Sequence, residues 1–319
     1  MNIYSQTPHA AGIDNYYDHI IELSQLSEKY DYKGILITYS TSNVNPWLIS
    51  SLILDKTKKI RPLVAVQPDS LPVDTLVNIL KSSMYLYNRE ISLNLIDGTS
   101  KRLKGSMEAS HKNDRYEWLI KFMEETRRVL SISISDYDHG LYNQKVCFSN
   151  ENNYPIDFFM SGTSKNAFET AKSGADGFLT VPGPIHSFKK TFSPIENCDF
   201  GVCFGIIARP TSDEAWRVAK ETFPHSREND IQLLLKRNSK MNAVRGLADL
   251  ALEQEVYDDV YWLGVFKNGK NIYPYLVGSY NQVADYLKEY KRHGVRSLIL
   301  NTPFSREEFR HREQVFKRI

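Results

Sequence analysis

The apolar run Gly34-Ile35-Leu36-Ile37 decides the fold. No polar residue interrupts it, which is typical of a parallel strand that is buried on both faces. Leu63-Val64-Ala65-Val66 repeats the pattern, and Trp47–Asp55 lies between the two runs with helical character. This stretch therefore predicts strand, helix and strand in succession, as in an α/β protein.

The alternation of strands and helices continues on both sides of this stretch. We predict strands at Asn2–Gln6, Gly34–Ile37, Leu63–Val66, Ile91–Ile96, Phe158–Met160, Gly177–Thr180, Phe200–Ala208 and Ser297–Leu300. We predict helices at Tyr16–Lys29, Trp47–Asp55, Val73–Leu86, Arg115–Leu130, Ser164–Ser173, from Ser212 onwards and at Glu307–Phe316. Eight such units in 319 residues predict a closed TIM (β/α)8 barrel with insertions.

Two segments, about 131–154 and 223–275, do not fit simple strand–helix units. The second predicts helix within Phe223–Asp258 and a hairpin between Tyr261–Phe266 and Asn271–Tyr275. We interpret both segments as insertions into one domain that covers residues 1–319. Because the loops after the strands form the active site of a TIM barrel, insertions there would roof a pocket.

Charge and composition argue against several classes of partner. The 40 basic and 38 acidic residues nearly balance, and no basic run predicts a nucleic-acid site. No apolar stretch is long enough to span a membrane, and residues 1–12 lack the features of a signal peptide. The three cysteines, Cys147, Cys198 and Cys203, lack metal-ligand spacing. We therefore expect a cytoplasmic protein with free thiols, no metal, and no nucleic-acid or membrane partner.

Three polar segments are candidates for a binding site. Ser161-Gly162-Thr163-Ser164 follows the fifth strand and opens a helix, where backbone N–H groups attract phosphate. His111 and Arg115-Tyr116-Glu117 stand at the start of the fourth helix, and Asn94 lies within the fourth strand. Taken alone, each is more typical of an ordinary helix cap or of a hydrogen-bonded structural residue.

Together the segments match one family in order and spacing, and the register is nearly continuous from Tyr32 to Trp216. The matching segments are Lys33–Ile37, Asn45-Pro46-Trp47-Leu48, Leu63–Pro68, Asn94–Gly98, His111 with Arg115-Tyr116-Glu117, Gly162-Thr163-Ser164, Leu179-Thr180, Phe200-Gly201, Asp213–Trp216, and Leu276-Val277-Gly278 opening a helix. The chain resembles the luciferase-like flavin-dependent monooxygenases, and most of all the alkanesulfonate monooxygenases.

The resemblance implies a site for reduced FMN (FMNH2) at the barrel mouth. In it, Asn94 would face the isoalloxazine ring, above a non-proline cis peptide between Ala65 and Val66. The residues implied to hold the phosphate are Gly162, Thr163, Ser164, Tyr116, His111 and Arg115.

The implied chemistry is two-component oxygenation by an oligomer. An NAD(P)H-dependent flavin reductase supplies FMNH2, oxygen adds at the flavin C4a position, and the peroxide oxidises an organic substrate. The family resemblance also implies a homodimer or a homotetramer.

The match fails among the residues that contact the family's substrate. His9 lies near a family histidine, but Asn43 stands where the family has its active-site cysteine; we take these two as the catalytic candidates. Cys203 and Gly205 replace an arginine and a histidine, which removes the charge-assisted hydrogen bonds that a sulfonate needs. We therefore expect a larger or less charged substrate than an alkanesulfonate, such as a biosynthetic intermediate held on a carrier protein.

Two other functions fit the same residues. One is a flavin-binding partner protein without catalytic activity, which the missing side chains favour. The other is an oxidoreductase that uses the deazaflavin F420, which the same barrel accommodates.

Overall fold

The strands that the structure describes form one continuous sheet. The structure is a computed structural model that describes residues 1–96, 112–131, 156–194, 197–225, 227–239, 242–269 and 271–319. The strands in these ranges are β1 (Asn2–Gln6), β2 (Gly34–Ile37), β3 (Arg61–Val66), β4 (Ser92–Leu95), β5 (Phe158–Ser161), β6 (Gly177–Thr180), β7 (Asp199–Arg209), β8 (Val256–Tyr257), β9 (Tyr261–Trp262), β10 (Tyr275–Ser279) and β11 (Val295–Leu300).

Eight of these strands close a parallel barrel. β1 to β7 pair in order, and β11 then pairs with both β7 and β1. The helices described around the barrel are α1 (Tyr16–Lys29), α2 (Pro46–Lys56), α3 (Val73–Tyr87), α4 (Lys112–Ser131), α5 (Lys165–Lys172), α6 (Ile185–Thr191), α7 (Ser212–Thr222), α8 (Arg227–Arg237), α9 (Asn242–Glu253), α10 (Gly264–Lys267), α11 (Tyr280–Arg292) and α12 (Glu307–Phe316). The TIM barrel predicted from the sequence is confirmed.

The barrel strands divide their side chains between two apolar layers, because successive residues of a strand point to opposite faces. The outer layer packs against the helices and includes a cluster of phenylalanines around Phe168 and Phe200. The inner layer fills the barrel, so the interior is a packed core rather than a channel. Its buried members are Tyr4, Leu36, Leu63, Phe159, Leu179, Cys203, Tyr273 and Ile299.

β7 is long and pairs with two strands in succession. Its residues Phe200–Phe204 pair with β11, and its residues Gly205–Arg209 pair with β10, both in parallel. The second half of β7 therefore extends past the barrel and carries a small sheet, in which β9 and β8 follow β10 as antiparallel strands. A buried ion pair between Arg209 and Glu308 of α12 anchors this extension.

The second insertion differs from the prediction at four places. The helical part ends at Glu253, and Val256–Tyr257 is a strand rather than helix. The predicted hairpin arm Tyr261–Phe266 is wrong beyond Trp262, because Gly264–Lys267 forms a helical turn. Gly264 permits that turn, since a Cβ there would lie 2.2 Å from the Trp262 indole. A short apolar run does not distinguish strand from helix, which explains this error. The other arm, Asn271–Tyr275, is a strand only at Tyr275, where β10 begins.

Leu276-Val277-Gly278 forms a strand rather than the start of a helix. The helix begins only at Tyr280, after a capping box between Ser279 and Gln282.

Residues 132–154 of the first insertion lie outside the described residues, and the assignment of residues 1–319 to one domain stays a prediction. Within the described ranges, no helix is both long and apolar enough to cross a membrane.

Candidate active site

The turn after β5 combines a close backbone approach with a helix cap. A Cβ on Gly162 would lie 2.5 Å from the Cβ of Ala167, so only glycine lets this turn pack against α5. The Ser164 hydroxyl accepts a hydrogen bond of 3.1 Å from the Ala167 N–H and caps the helix. The first turn of a helix presents N–H groups that lack intrahelical partners. Gly162, Thr163 and Ser164 thus have the geometry expected of an anion site at the mouth of the barrel.

Asn94 lies on the inner face of β4, next to this turn. It is buried, and its register neighbours are Ala65 of β3 and Phe159 of β5. The Ser161 hydroxyl donates a hydrogen bond of 2.7 Å to the Asn94 side-chain oxygen. This bond fixes the orientation of the amide and brings the end of β4 into contact with the end of β5.

The expected cis peptide between Ala65 and Val66 is wrong. The described backbone contains no cis peptide bond, and both residues lie in β3 with regular parallel pairing to β4. The ladder continues past the strand, because the Ile96 N–H donates to the Val66 carbonyl at 3.0 Å. A trans bond satisfies these pairings without the cost of about 3–4 kcal/mol that a non-proline cis bond carries. Ala65 and Val66 nevertheless lie beside Asn94 and Leu95 at the ends of β3 and β4.

His9 and Asn43 come together from the loops after β1 and β2. The Asn43 side-chain oxygen accepts the Ala10 N–H at 3.0 Å, and the His9 Nε2 lies 3.3 Å from the Ser42 hydroxyl. The His9 Nδ1 accepts the Ala11 N–H, so in the neutral imidazole Nε2 carries the proton. His9 itself is exposed.

The predicted phosphate contacts from α4 are described only in part. His111 and the side chain of Arg115 lie outside the described residues. Tyr116 is partly buried and packs against the outer apolar layer. Its role at the phosphate stays a prediction.

Sequence reasoning missed a tyrosine that enters the barrel from the second insertion. Tyr273 lies two residues before β10, yet its ring is buried in the inner layer of the barrel. Its hydroxyl hydrogen-bonds to the side chains of Gln6 and Cys203. Burial raises the pKa of Tyr273 well above its usual value and that of the Cys203 thiol to about 12, so both are neutral.

A second tyrosine occupies the space beside Gly205. A Cβ at Gly205 would lie 2.3 Å from the ring of Tyr275, so the ring takes the room of a side chain there. The Asn301 amide donates a hydrogen bond of 2.6 Å to the Tyr275 hydroxyl. The sequence signal for both tyrosines is the aromatic-rich segment Asn271-Ile272-Tyr273-Pro274-Tyr275. This segment alone does not indicate which side of the barrel it packs against.

A cleft of about 580 Å3 lies elsewhere, between α7, α11 and the β8–β9 hairpin. Trp216, Glu255 and Trp262 are among the residues that line it. None of the predicted site residues lines this cleft.

Two solved structures share the fold along the whole chain. The oxygenating constituent of 3,6-diketocamphane monooxygenase from Pseudomonas putida, in complex with FMN, has a TM-score of 0.70 and 13% identity, and covers 100% of this chain and 97% of its own. The coenzyme F420 dependent tetrahydromethanopterin reductase from Methanopyrus kandleri has a TM-score of 0.58 and 14% identity, with the same coverage. At these identities the likeness extends to the fold alone. No family model matches the chain.

The sequence itself is similar to that of a characterised enzyme. The 4-(gamma-L-glutamylamino)butanoyl-[BtrI acyl-carrier protein] monooxygenase BtrO of Niallia circulans is 34% identical over 328 residues, which cover 98% of this chain and 95% of BtrO. The chain belongs to the luciferase-like flavin-dependent monooxygenase superfamily. With this relative along its whole length, the chain is a monooxygenase.

Proposed function

We propose that the protein is the oxygenating component of a two-component system and uses reduced FMN to oxidise an acyl group held on a carrier protein in the cytoplasm. The similarity to BtrO along the whole chain carries this proposal. A separate NAD(P)H-dependent reductase would supply the reduced FMN.

The residues on the β3–β5 side of the mouth fit FMN. The close turn at Gly162 and the capped start of α5 suit a phosphate, which prefers N–H donors and a helix N-terminus. The buried Asn94 and the adjoining Ala65 supply a polar edge and a small side chain beside a flat ring. Bound reduced FMN would supply the electrons for oxygen activation, while the apolar layer of the barrel excludes water.

The opposite side of the mouth argues against a sulfonate. Gln6, Cys203, Tyr273, Tyr275 and Asn301 are neutral, and Gly205 has no side chain. None of these residues is cationic, and the amides of Gln6 and Asn301 already donate to Tyr273 and Tyr275, so this wall lacks the charge-assisted hydrogen bonds that a buried sulfonate requires. A neutral acyl chain fits it better, and a thioester-linked carrier would bring that chain to the mouth.

The first experiment is an anaerobic titration with reduced FMN, oxidised FMN and reduced F420, followed by fluorescence. We expect micromolar or tighter binding of reduced FMN and weaker binding of the other two. Tighter binding of F420 would favour the hydride-transferring alternative, which the fold similarity to the F420-dependent reductase motivates. Absence of binding by all three would contradict the proposal.

A charge placed at the cap tests the phosphate site without removing the cap. Ser164→Asp keeps a good N-cap residue but adds a negative charge beside the phosphate. We expect at least tenfold weaker binding of reduced FMN at an unchanged melting temperature. Thr211→Asp is the matched control, because Thr211 caps α7 by accepting the Glu214 N–H and lies outside the proposed site.

Turnover is then measured with a carrier protein loaded with a 4-acetamidobutanoyl chain, a flavin reductase, FMN and NADH. We expect a product heavier by one oxygen atom in the mass spectrum. The free acid and an alkanesulfonate serve as comparators. Oxidation of the alkanesulfonate in preference to the loaded carrier would overturn the proposed substrate class.

A further inference from the structure

Gln6 ends β1 on the inner face of the barrel and carries an unsatisfied acceptor. Its side chain points inward like that of Tyr4, and it is the register partner of Leu36. The Gln6 amide donates to the Tyr273 hydroxyl. Its side-chain oxygen is buried and has no hydrogen-bond partner among the described residues. A buried acceptor of this kind is unfavourable until a donor reaches it.

Tyr273 is the side chain best placed to give way to such a donor. It is the member of the inner layer that does not come from a barrel strand. Its hydroxyl forms a chain with its neighbours, in which Gln6 donates to Tyr273 and Tyr273 donates to Cys203. A movement of this side chain therefore uncovers Gln6 without breaking any strand pairing of the barrel.

We propose that the Gln6 oxygen recognises an N–H group of the substrate, such as an amide, and that Tyr273 covers Gln6 until the substrate displaces it. The inference rests on the proposed function in one respect, that the barrel mouth receives the substrate. An N–H donor satisfies the Gln6 oxygen. A methylene at the same place leaves that oxygen unsatisfied, and a carboxylate repels it.

Two matched probes test the recognition of N–H. They are the pantetheine thioesters of 4-acetamidobutanoate and of 6-oxoheptanoate, which differ by an N–H in place of a CH2. Binding is measured by calorimetry on the flavin-free protein, and oxidation is measured separately with reduced FMN. We expect the wild-type protein to bind the amide about tenfold more tightly.

Two variants distinguish the role of Gln6 as hydrogen-bond acceptor from the role of Tyr273 as its cover. Gln6→Met keeps the volume and removes the acceptor, so we expect equal dissociation constants for the two probes. Tyr273→Phe keeps the ring but loses both hydrogen bonds, so we expect tighter binding of both probes with the amide preference retained. Tyr257→Phe is the control, because the hydroxyl of this β8 residue donates to the Leu250 carbonyl of α9, away from Gln6.

The outcomes distinguish this inference from the proposed function. Equal binding of both probes to the wild-type protein, absence of binding, or an amide preference that survives in Gln6→Met overturns the inference. If the amide preference appears and depends on Gln6 but neither probe is oxidised, recognition stands and the proposed reaction fails. If both probes are oxidised with equal efficiency and bind equally, the reaction stands and the recognition by Gln6 fails.

Discussion

The two sides of the barrel mouth are built in different ways. On the β3–β5 side, the polar groups come from the barrel strands and from the turn directly after β5, as with Asn94 and Gly162. On the β7–β11 side, the second insertion supplies the tyrosines that cover Cys203 and Gly205. The first side carries the residues named in the family resemblance, although its Ala65–Val66 bond is trans, and the second side departs from the resemblance.

On the β7–β11 side, tyrosines from the second insertion occupy the space beside Cys203 and Gly205, where the family has an arginine and a histidine. Gly205 leaves no cavity, because the Tyr275 ring occupies the space where a Cβ would lie. Cys203 likewise lies against the Tyr273 hydroxyl inside a packed layer. The second insertion therefore fills this wall with neutral side chains, which suits a substrate that carries no charge there.

The largest expected effect comes from breaking the anchor of the β7–β11 side. Glu308→Gln leaves the buried Arg209 guanidinium without a charged partner, which we expect to cost about 3–5 kcal/mol in the free energy of unfolding. Urea denaturation measures this loss. At low temperature the folded variant should still bind reduced FMN, because the described residues of the β3–β5 side do not contact the Arg209–Glu308 pair.

The control for this prediction is an exposed ion pair. Glu289→Gln breaks the contacts of Glu289 with Lys189 and Arg292, and all three side chains are more than a third exposed. The expected loss is much smaller than that of Glu308→Gln, because water already solvates these charges. Equal losses in the two variants would show that burial of the Arg209 pair does not matter.

A smaller effect is expected where Gly205 meets Tyr275. Gly205→Ala places a methyl group against the Tyr275 ring, and overpacking of this kind costs about 1–3 kcal/mol. The double variant with Tyr275→Leu should recover most of that loss, because the two side chains compete for the same space. Thermal unfolding of the two single variants and the double variant measures the coupling. Additive losses would contradict the filled-wall interpretation.

A glycine-to-alanine substitution on the β3–β5 side should weaken flavin binding. Gly162→Ala brings its Cβ to 2.5 Å from the Ala167 Cβ and pushes the turn away from α5. We expect about tenfold weaker binding of reduced FMN, which corresponds to about 1.4 kcal/mol. Gly246→Ala is the control, since a Cβ there meets no atom within 4 Å and alanine stabilises the interior of α9. Unchanged flavin binding in Gly162→Ala would remove this turn from the phosphate site.

The local geometry of the β3–β5 side was predictable from the sequence because its groups lie close together in the chain, whereas its role in binding a cofactor stays a prediction. Ser161 to Ser164 follow one strand and open one helix, so their arrangement depends on a few adjacent residues. The barrel was predictable for the same reason, since each buried strand carries its own apolar run. The pairing of Asn94 with Ser161 required only that β4 and β5 be neighbours.

The contacts of the β7–β11 side were not predictable, because they join residues that are distant in sequence. Tyr273 reaches Gln6 across 267 positions, and nothing in either local sequence indicates the other. The pairing of β7 with two strands also depends on tertiary structure, since a long apolar strand does not reveal where its partner changes. The backbone at Ala65 and Val66 was expected from the resemblance and not from local residues, and that expectation was wrong.

The smallest effect is expected from the Cys203 thiol, and only at alkaline pH. Burial raises its pKa from 9.0 to about 12 in the folded protein. The stability that the neutral thiol contributes is therefore fully present below pH 9 and is lost as the pH rises through 9 towards 12. Between pH 8 and pH 10 the loss should be about 1.4 kcal/mol in the free energy of unfolding.

Cys203→Ala isolates this contribution from those of the buried tyrosines, which also lose stability in alkali. The variant should be less stable at pH 8, because a buried side chain is shortened, but its stability should decrease less between pH 8 and pH 10 than that of the wild-type protein. Urea denaturation at the two pH values measures the difference. An identical decrease in both proteins would mean that Cys203 is solvated at the barrel mouth, and the uncharged wall beside Tyr273 would then admit water in the absence of substrate.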